Sequence, residues 1–494
     1  MNPRVKTFLI LTIITVLLTA GLILALKNLD SAKTPGKPQP PVLTEHKALP
    51  DVEITEKLKL LTWYDIDETS PTALLYKAKY WRKEESESVY YNDDDSRDNT
   101  CVPPIPNDEY YKELNSKREI FEVTKTHHEN RGHKLAQLIM AGDSPDLFPF
   151  DEYLYPMGLY HQLFSPTDDL IDLNSPEWEA TKPYIDAFKW KGKNYTAITE
   201  LDNPTVSLLY YRKSVLHEAG LEDPFDLWEK GKWTWDSFMQ MCMCFSAPDK
   251  KWGIYGYCTG EAAIASTGAG IIVIEDGLLK SNMYDSRIER AMEFLRELAH
   301  NGYHIADFGN SPYDNFLDMF KKGDILFWNA GAFLYEETLV IAAENEKWAE
   351  DEICIVPFPR DPLTDDYYQR GNHNALMLVN GAKNTNGFKA WTQCAVVAAQ
   401  DEEMRQRVRA GKMQKHGWTD EQLDVLERIK AFTQVWDFNK GILPYTTTLE
   451  KIYFATPTDD LITPVISCGE SYAKMREELG YVIEEQISAF NENE

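Results

Sequence analysis

From Lys57 onward, short apolar runs of strand character alternate with stretches whose apolar residues recur every three or four positions. This alternation restricts the chain to an α/β fold. "KLKLLTWYDID" (57–67) opens it as a strand, in which Leu58, Leu60 and Thr62 alternate with Lys59 and Leu61. "HKLAQLIMAG" sets Leu135, Leu138, Ile139 and Ala141 on one helical face and stops at Gly142, after which "DLFPF" re-enters a sheet. "TWDSFMQMCMCF" offers Thr234 as N-cap and Asp236 in the first turn, where the helix dipole favours a carboxylate. "RIERAMEFLRELAHNG" (287–302) aligns Ile288, Ala291, Phe294, Leu295 and Leu298 on one side. "FLDMFKKGDILFWNAGAF" reads as helix, glycine turn and strand, while "DEICIVPFP" and "NHNALMLVNGA" read as strands around an Asp/Tyr-rich loop. At 494 residues the chain exceeds what one core accommodates, so two domains are expected.

The front of the chain has a different character. "FLILTIITVLLTAGLILAL", Phe8 to Leu26, is nineteen uncharged residues behind Arg4 and Lys6. As a helix it would be roughly 28 Å long, close to the hydrocarbon thickness of a bilayer. The apolar run continues past Ala20-Gly21, the small pair that could serve as a cleavage site, so residues 1–26 are expected to be an uncleaved anchor. No cysteine follows that could carry a lipid, and Lys27, Lys33 and Lys37 blunt the orientation signal. Residues 27–56, rich in proline and polar side chains, read as a tether to an exported globule.

Charge and chemistry exclude several functions. The 51 Lys+Arg against 79 Asp+Glu leave a net charge of −28, which repels phosphate backbones and argues against a nucleic-acid partner. Seven cysteines, an odd number without a CxxC pair, read as packing thiols. His127, His128, Glu129 and His133 fail the zinc-protease pattern, because His128 and His133 lie five apart with Gly132 between them. The acidic "YYNDDDSRDN" within 86–118 lacks the glycine and bidentate glutamate of a calcium loop, and Arg97 sits inside it. No metal is expected. Nor is a cofactor, since no phosphate-cradling glycine loop is present.

"WKGKNYTAITELDNPTVSLLYYRK" (190–213) joins two strand-like runs, Asn194–Thr199 and Val206–Tyr211, through Glu200, Asp202, Asn203 and Pro204. A hairpin would prefer a tight Asn-Gly or Asp-Gly turn, which is absent. The segment is either a solvated loop or a passage between domains that shows its polar groups to a ligand.

Five pieces in order carry a resemblance. They are the strand ending "TWYD", "KLAQLIMAGDSPDLFPFD", "KWKGKNYTAITE…SLLYYRKSVLHEAGLEDP…WTWDSF", "FKKGDILFWNAG", and "ICIVPFPRDP…GNHNALMLVNGAKNTNGFKAW". From about Lys57 to the C-terminus the chain resembles the carbohydrate-type extracellular solute-binding proteins of ABC importers, the maltose-binding-protein-like group. It departs from them in lacking a membrane-proximal lipid-bearing cysteine and in the length of 86–118. The resemblance implies a two-lobed periplasmic-binding-protein-like fold with hinge crossovers, here preceded by the membrane helix. Lobe one would hold 57–199 with 373–441, and lobe two 204–371 with 442–494. Glu200–Pro204 would be the first crossover, "RGNHN" (370–374) the second and "KGILPY" (440–445) the third, giving Glu200, Gly371, Asn372 and Gly441 as hinge residues.

A sugar offers hydroxyls at its edge and C–H faces above and below, so its site needs aromatic platforms and a few strong hydrogen-bonding groups. The expected cleft residues are Trp63, Tyr64 and Asp65 after the first strand, Asp151 after the next, Glu200 and Asn203 on the crossover, and Trp328 with Asn329 on a lobe-two strand. The expected role is a tethered substrate-binding subunit on the outer face of the cytoplasmic membrane. It would bind a saccharide and hand it to ABC permease subunits. A carbohydrate-sensing receptor of the same fold is the alternative. A carbohydrate-cleaving enzyme is weaker, because no nucleophile motif accompanies the carboxylates.

Overall fold

The computed structural model describes residues 49–64, 70–80, 119–127, 130–199, 206–248, 250–256, 258–305, 313–349, 352–371, 375–442 and 462–492. Phe8–Leu26, most of the tether, the segment 86–118, Asp65, Glu200, Asn203 and Asn372 lie outside these residues. Among the described residues no helix is long and apolar enough to cross a membrane.

Two separate sheets organise the chain. The first is built from β1 (Leu58–Thr62), β2 (Phe121–Lys125), β3 (Leu147–Pro149), β4 (Thr196–Ile198) and β12 (Ala375–Leu378), in the order β2-β1-β3-β12-β4. β1 runs parallel to β2 and β3, while β12 is antiparallel to β3 and β4. Leu58, Leu60 and Leu61 are all buried, so β1 is covered on both faces rather than on one, as parallel strands usually are. The helix Thr385–Gln400 covers one face, with the Trp391 ring 5.6 Å from Tyr76 and 4.8 Å from Phe121. The buried Asp146 carboxylate accepts from the backbone N–H groups of Lys59, Lys383 and Asn384, tying β1 to the start of that helix.

The second sheet comprises β5 (Leu208–Arg212), β6 (Trp252–Tyr255), β9 (Ile325–Ala330) and β10 (Ile353–Pro357), in the order β10-β5-β9-β6. Its helical cover includes Trp235–Phe245, started by a Thr234–Ser237 capping box, and Ser286–His300. Trp235 stacks on Phe294 at 4.6 Å, and Phe238 lies 5.4 Å from Phe327. β4 and β5, neighbours in sequence, belong to different sheets. That is why no tight turn links them.

Between the sheets lies a short parallel pair, β11 (Tyr368–Arg370) with β13 (Thr433–Val435). A hairpin of β7 (Ile272–Glu275) and β8 (Leu278–Ser281) turns through Asp276 and Gly277, both at positive φ (53° and 78°). Its tip reaches the first lobe, where the Lys191 N–H donates to the Gly277 carbonyl at 3.0 Å. The C-terminal helix Tyr472–Glu492 also makes contacts in both directions. Asn491 pairs with the backbone of Leu279, and the Phe490 ring lies 4.7 Å from Tyr160.

Within 373–441, the stretch expected in lobe one, the helix Asp420–Lys430 packs on the second sheet. Gln422 donates to the Ile353 carbonyl at 2.8 Å, and Trp418 lies 4.3 Å from Tyr335. The chain therefore changes sheets after Gln400, and Trp436 and Phe438 bring it back against Phe188 and Tyr155 of the first lobe. A helix does not record which sheet it will cover, because either one accepts an apolar stripe.

Gly441 sits where that returning segment presses on the first lobe. A Cβ there would lie 1.9 Å from the Tyr155 carbonyl oxygen. Gly441→Ala is expected to lower stability by about 1–3 kcal/mol, read as a reduced urea midpoint with an unchanged m-value.

Candidate functional site

β1 and β3 run parallel, so the residues that follow them emerge at the same edge of the first sheet. Open α/β sheets leave their ligand crevice at this edge. Trp63 and Tyr64 follow β1 directly. Trp63 is half-buried against Phe148 (5.7 Å) and Tyr64 (5.5 Å, edge-on), whereas Tyr64 is 44% exposed. Asp151, Glu152 and Tyr153 come just after β3.

Arg131 opens the helix Arg131–Met140 and is 1% exposed. It grips Asp151 with two hydrogen bonds, Nε to Oδ2 and Nη2 to Oδ1, the latter at 2.9 Å. Its guanidinium also lies 5.1 Å from the Trp63 ring centre and 5.4 Å from that of Tyr153. Buried charge persists only when paired and hydrogen-bonded. Arg131 meets that condition through Asp151 and rests its flat faces on two rings.

Next to this pair lies a second ionic group. Glu152 accepts from Arg370 at the end of β11 and from Lys440 Nζ at 2.8 Å, and Lys440 Nζ also lies 2.9 Å from Glu261. Glu261 belongs to the helix Thr259–Ala265, which follows β6 of the second sheet. Lys440 stands 5.1 Å from the Tyr153 ring as well. Burial by itself would raise the Glu152 carboxyl, but Arg370 and Lys440 outweigh it and hold the group down at about 2. Glu261 is lowered in the same way: burial opposes, and Lys440 and Arg370 prevail. Burial disfavours the Lys440 ammonium, as does Arg370, yet the two glutamates keep it well above the usual lysine value. All four groups are charged at neutral pH and their charges cancel.

Residues 115–405 match the family described as bacterial extracellular solute-binding protein. The chain belongs to this family. No curated protein sequence matches it. Solved structures with the same fold include a cyclo/maltodextrin-binding protein complexed with maltotetraose. It is 14% identical, with a TM-score of 0.51, covering 89% of this chain and 99% of that one. The GacH receptor of Streptomyces glaucescens GLA.O is 13% identical, with a TM-score of 0.55, covering 88% and 99%. The sugar-binding protein MalE of Xanthomonas citri is 13% identical, with a TM-score of 0.55, covering 78% and 95%.

Within this solute-binding protein the expected cleft residues fall into three groups. Trp63, Tyr64 and Asp151 share one edge of the first sheet, although Asp151 is 4% exposed and committed to Arg131. Asp65, Glu200 and Asn203 lie outside the described residues, as does the hinge residue Asn372. Trp328 and Asn329 are each 0% exposed, so the expectation that they line a cleft is corrected. β9 is flanked by β5 and β6 and covered on both faces. Trp328 packs on Tyr255 and Phe320, and Asn329 Nδ2 donates to Ser207 Oγ and the Leu208 carbonyl. Gly371 and Gly441, the remaining expected hinge residues, flank the second ionic group in sequence. A Cβ on Gly371 would come within 2.4 Å of the Trp436 ring.

The sequence reading missed Arg131, Glu152, Tyr153, Glu261, Arg370 and Lys440. Arg370 and Lys440 each begin a stretch quoted for a crossover. A lone cation at the mouth of such a segment was the available signal.

Two outcomes follow from this geometry. Trp328→Ala is expected to cost about 3–5 kcal/mol of stability in chemical denaturation, as a core truncation does. The stabilisation from ionised Glu152 is fully present above 4.5, the ordinary value, and is lost as pH falls toward about 2, since the unfolded chain takes up the proton first. The melting temperature of the native protein should therefore decline over that interval, and that of Glu152→Gln should decline less.

Proposed function

We propose that this protein captures a saccharide between its two lobes at the edge marked by Trp63 and Tyr64. The observation that carries the reading is the accessible aromatic pair immediately after β1, set beside a charged and hydrogen-bonded floor. An indole face accepts the C–H side of a pyranose, and Tyr64 offers a second surface at right angles to it. Membership of the solute-binding family supports ligand capture, and two proteins of the same fold are known in complex with maltotetraose and with acarbose. Asp65, Glu200 and Asn203 complete the proposed ligand set, with Gly371, Asn372 and Gly441 as hinge positions.

In this reading Phe8–Leu26 anchors the protein to the membrane and residues 27–56 let the binding lobes reach ABC permease subunits from the outer face.

Calorimetry with maltotetraose, acarbose and a wider oligosaccharide panel tests the proposal. At least one sugar should bind below millimolar concentration, and Trp63→Ala should weaken it about tenfold while leaving the melting temperature within a few degrees. No heat from any sugar at millimolar concentration overturns the reading.

A further inference from the structure

The ionic group around Lys440 does more than satisfy buried charge, because its members come from both lobes and from the strands between them. Glu152 follows β3 of the first sheet, and Glu261 follows β6 of the second. Arg370 ends β11, and Lys440 lies in the turn Asn439–Gly441 that returns past the first lobe. One ammonium therefore holds two carboxylates that belong to different lobes, at 2.8 Å and 2.9 Å. Hydrogen bonds weaken steeply with distance and misalignment, so any change of interlobe angle strains one bond or the other.

The same ammonium is linked to the proposed sugar platform. Trp63 faces Arg131 at 5.1 Å, Arg131 faces Tyr153 at 5.4 Å, and Tyr153 faces Lys440 at 5.1 Å. Ring and cation alternate along this file, and its far end is Glu261 of the second lobe. We propose that Lys440 is a positioning residue: its bond to Glu261 ties the lobes together at the angle they have here and thereby sets the affinity of the Trp63 platform for its ligand. The affinity part rests on the saccharide-capture reading above; the conformational part does not. A ligand gripped by both lobes binds the tied arrangement better, so it gains from any contact that populates that arrangement beforehand.

Glu261→Gln in the full chain tests this directly. It keeps the shape of the side chain and leaves Lys440 paired with Glu152, so the fold is retained. Its ligand-free radius of gyration by small-angle scattering should exceed that of the native protein. Lys440→Met should show the same increase and Lys440→Arg, which keeps the charge, should not. Maltotetraose affinity of Glu261→Gln should fall at least about fivefold. A purely structural role would lower the melting temperature without moving the ligand-free scattering curve. Unchanged scattering in both Glu261→Gln and Lys440→Met overturns the proposal. Absence of maltotetraose binding to the native protein bears on the saccharide reading and leaves the scattering result decisive.

Discussion

Four ionised side chains, Glu152, Glu261, Arg370 and Lys440, meet where two lobes and their connecting strands converge. Each loses part of its hydration there, and its neighbours offset that cost. Tyr155, Phe188, Phe438 and Trp436 fill the adjoining space with edge-to-face and tilted ring contacts at 4.7–5.7 Å.

In each sheet the central strands are covered on both faces, which leaves the strand ends as the places where side chains meet solvent. Trp63 and Tyr64 occupy such an end. Trp328, two residues before its strand finishes, does not. Its indole contributes to the second lobe's core, as Trp233 does, whose Nε1 donates to the Pro357 carbonyl at 2.8 Å. Aromatic content alone says nothing about binding. Position along the strand separates a platform from a packing residue.

The arrangement also bears on how the lobes communicate. Among the described residues, the contacts between the lobes include the ionic group, the tip of the β7–β8 hairpin at Lys191, and Phe490 against Tyr160 and Trp190. The hairpin contact is a backbone hydrogen bond, worth about 1 kcal/mol net. The charged junction is the more directional of these contacts.

Much of this architecture was legible along the chain. Periodicity identified the strand at Leu58–Thr62 and the helices near Arg131–Met140, Trp235–Phe245 and Ser286–His300, because these depend on neighbours within a few residues, whereas it left the passage between β4 and β5 open between a loop and a crossing. The change of sheet near Gln400 was not legible, since a helix stripe fits either sheet. Trp328 was misplaced because the pattern does not tell the end of a strand from its middle when both are apolar. The sequence by itself determined the elements, their order and the aromatic pair after β1. Only the tertiary structure brought Glu152, Glu261, Arg370 and Lys440 together. They stand far apart in the chain, and the force that joins them, Coulomb attraction strengthened by burial, leaves no local signature in the order of residues.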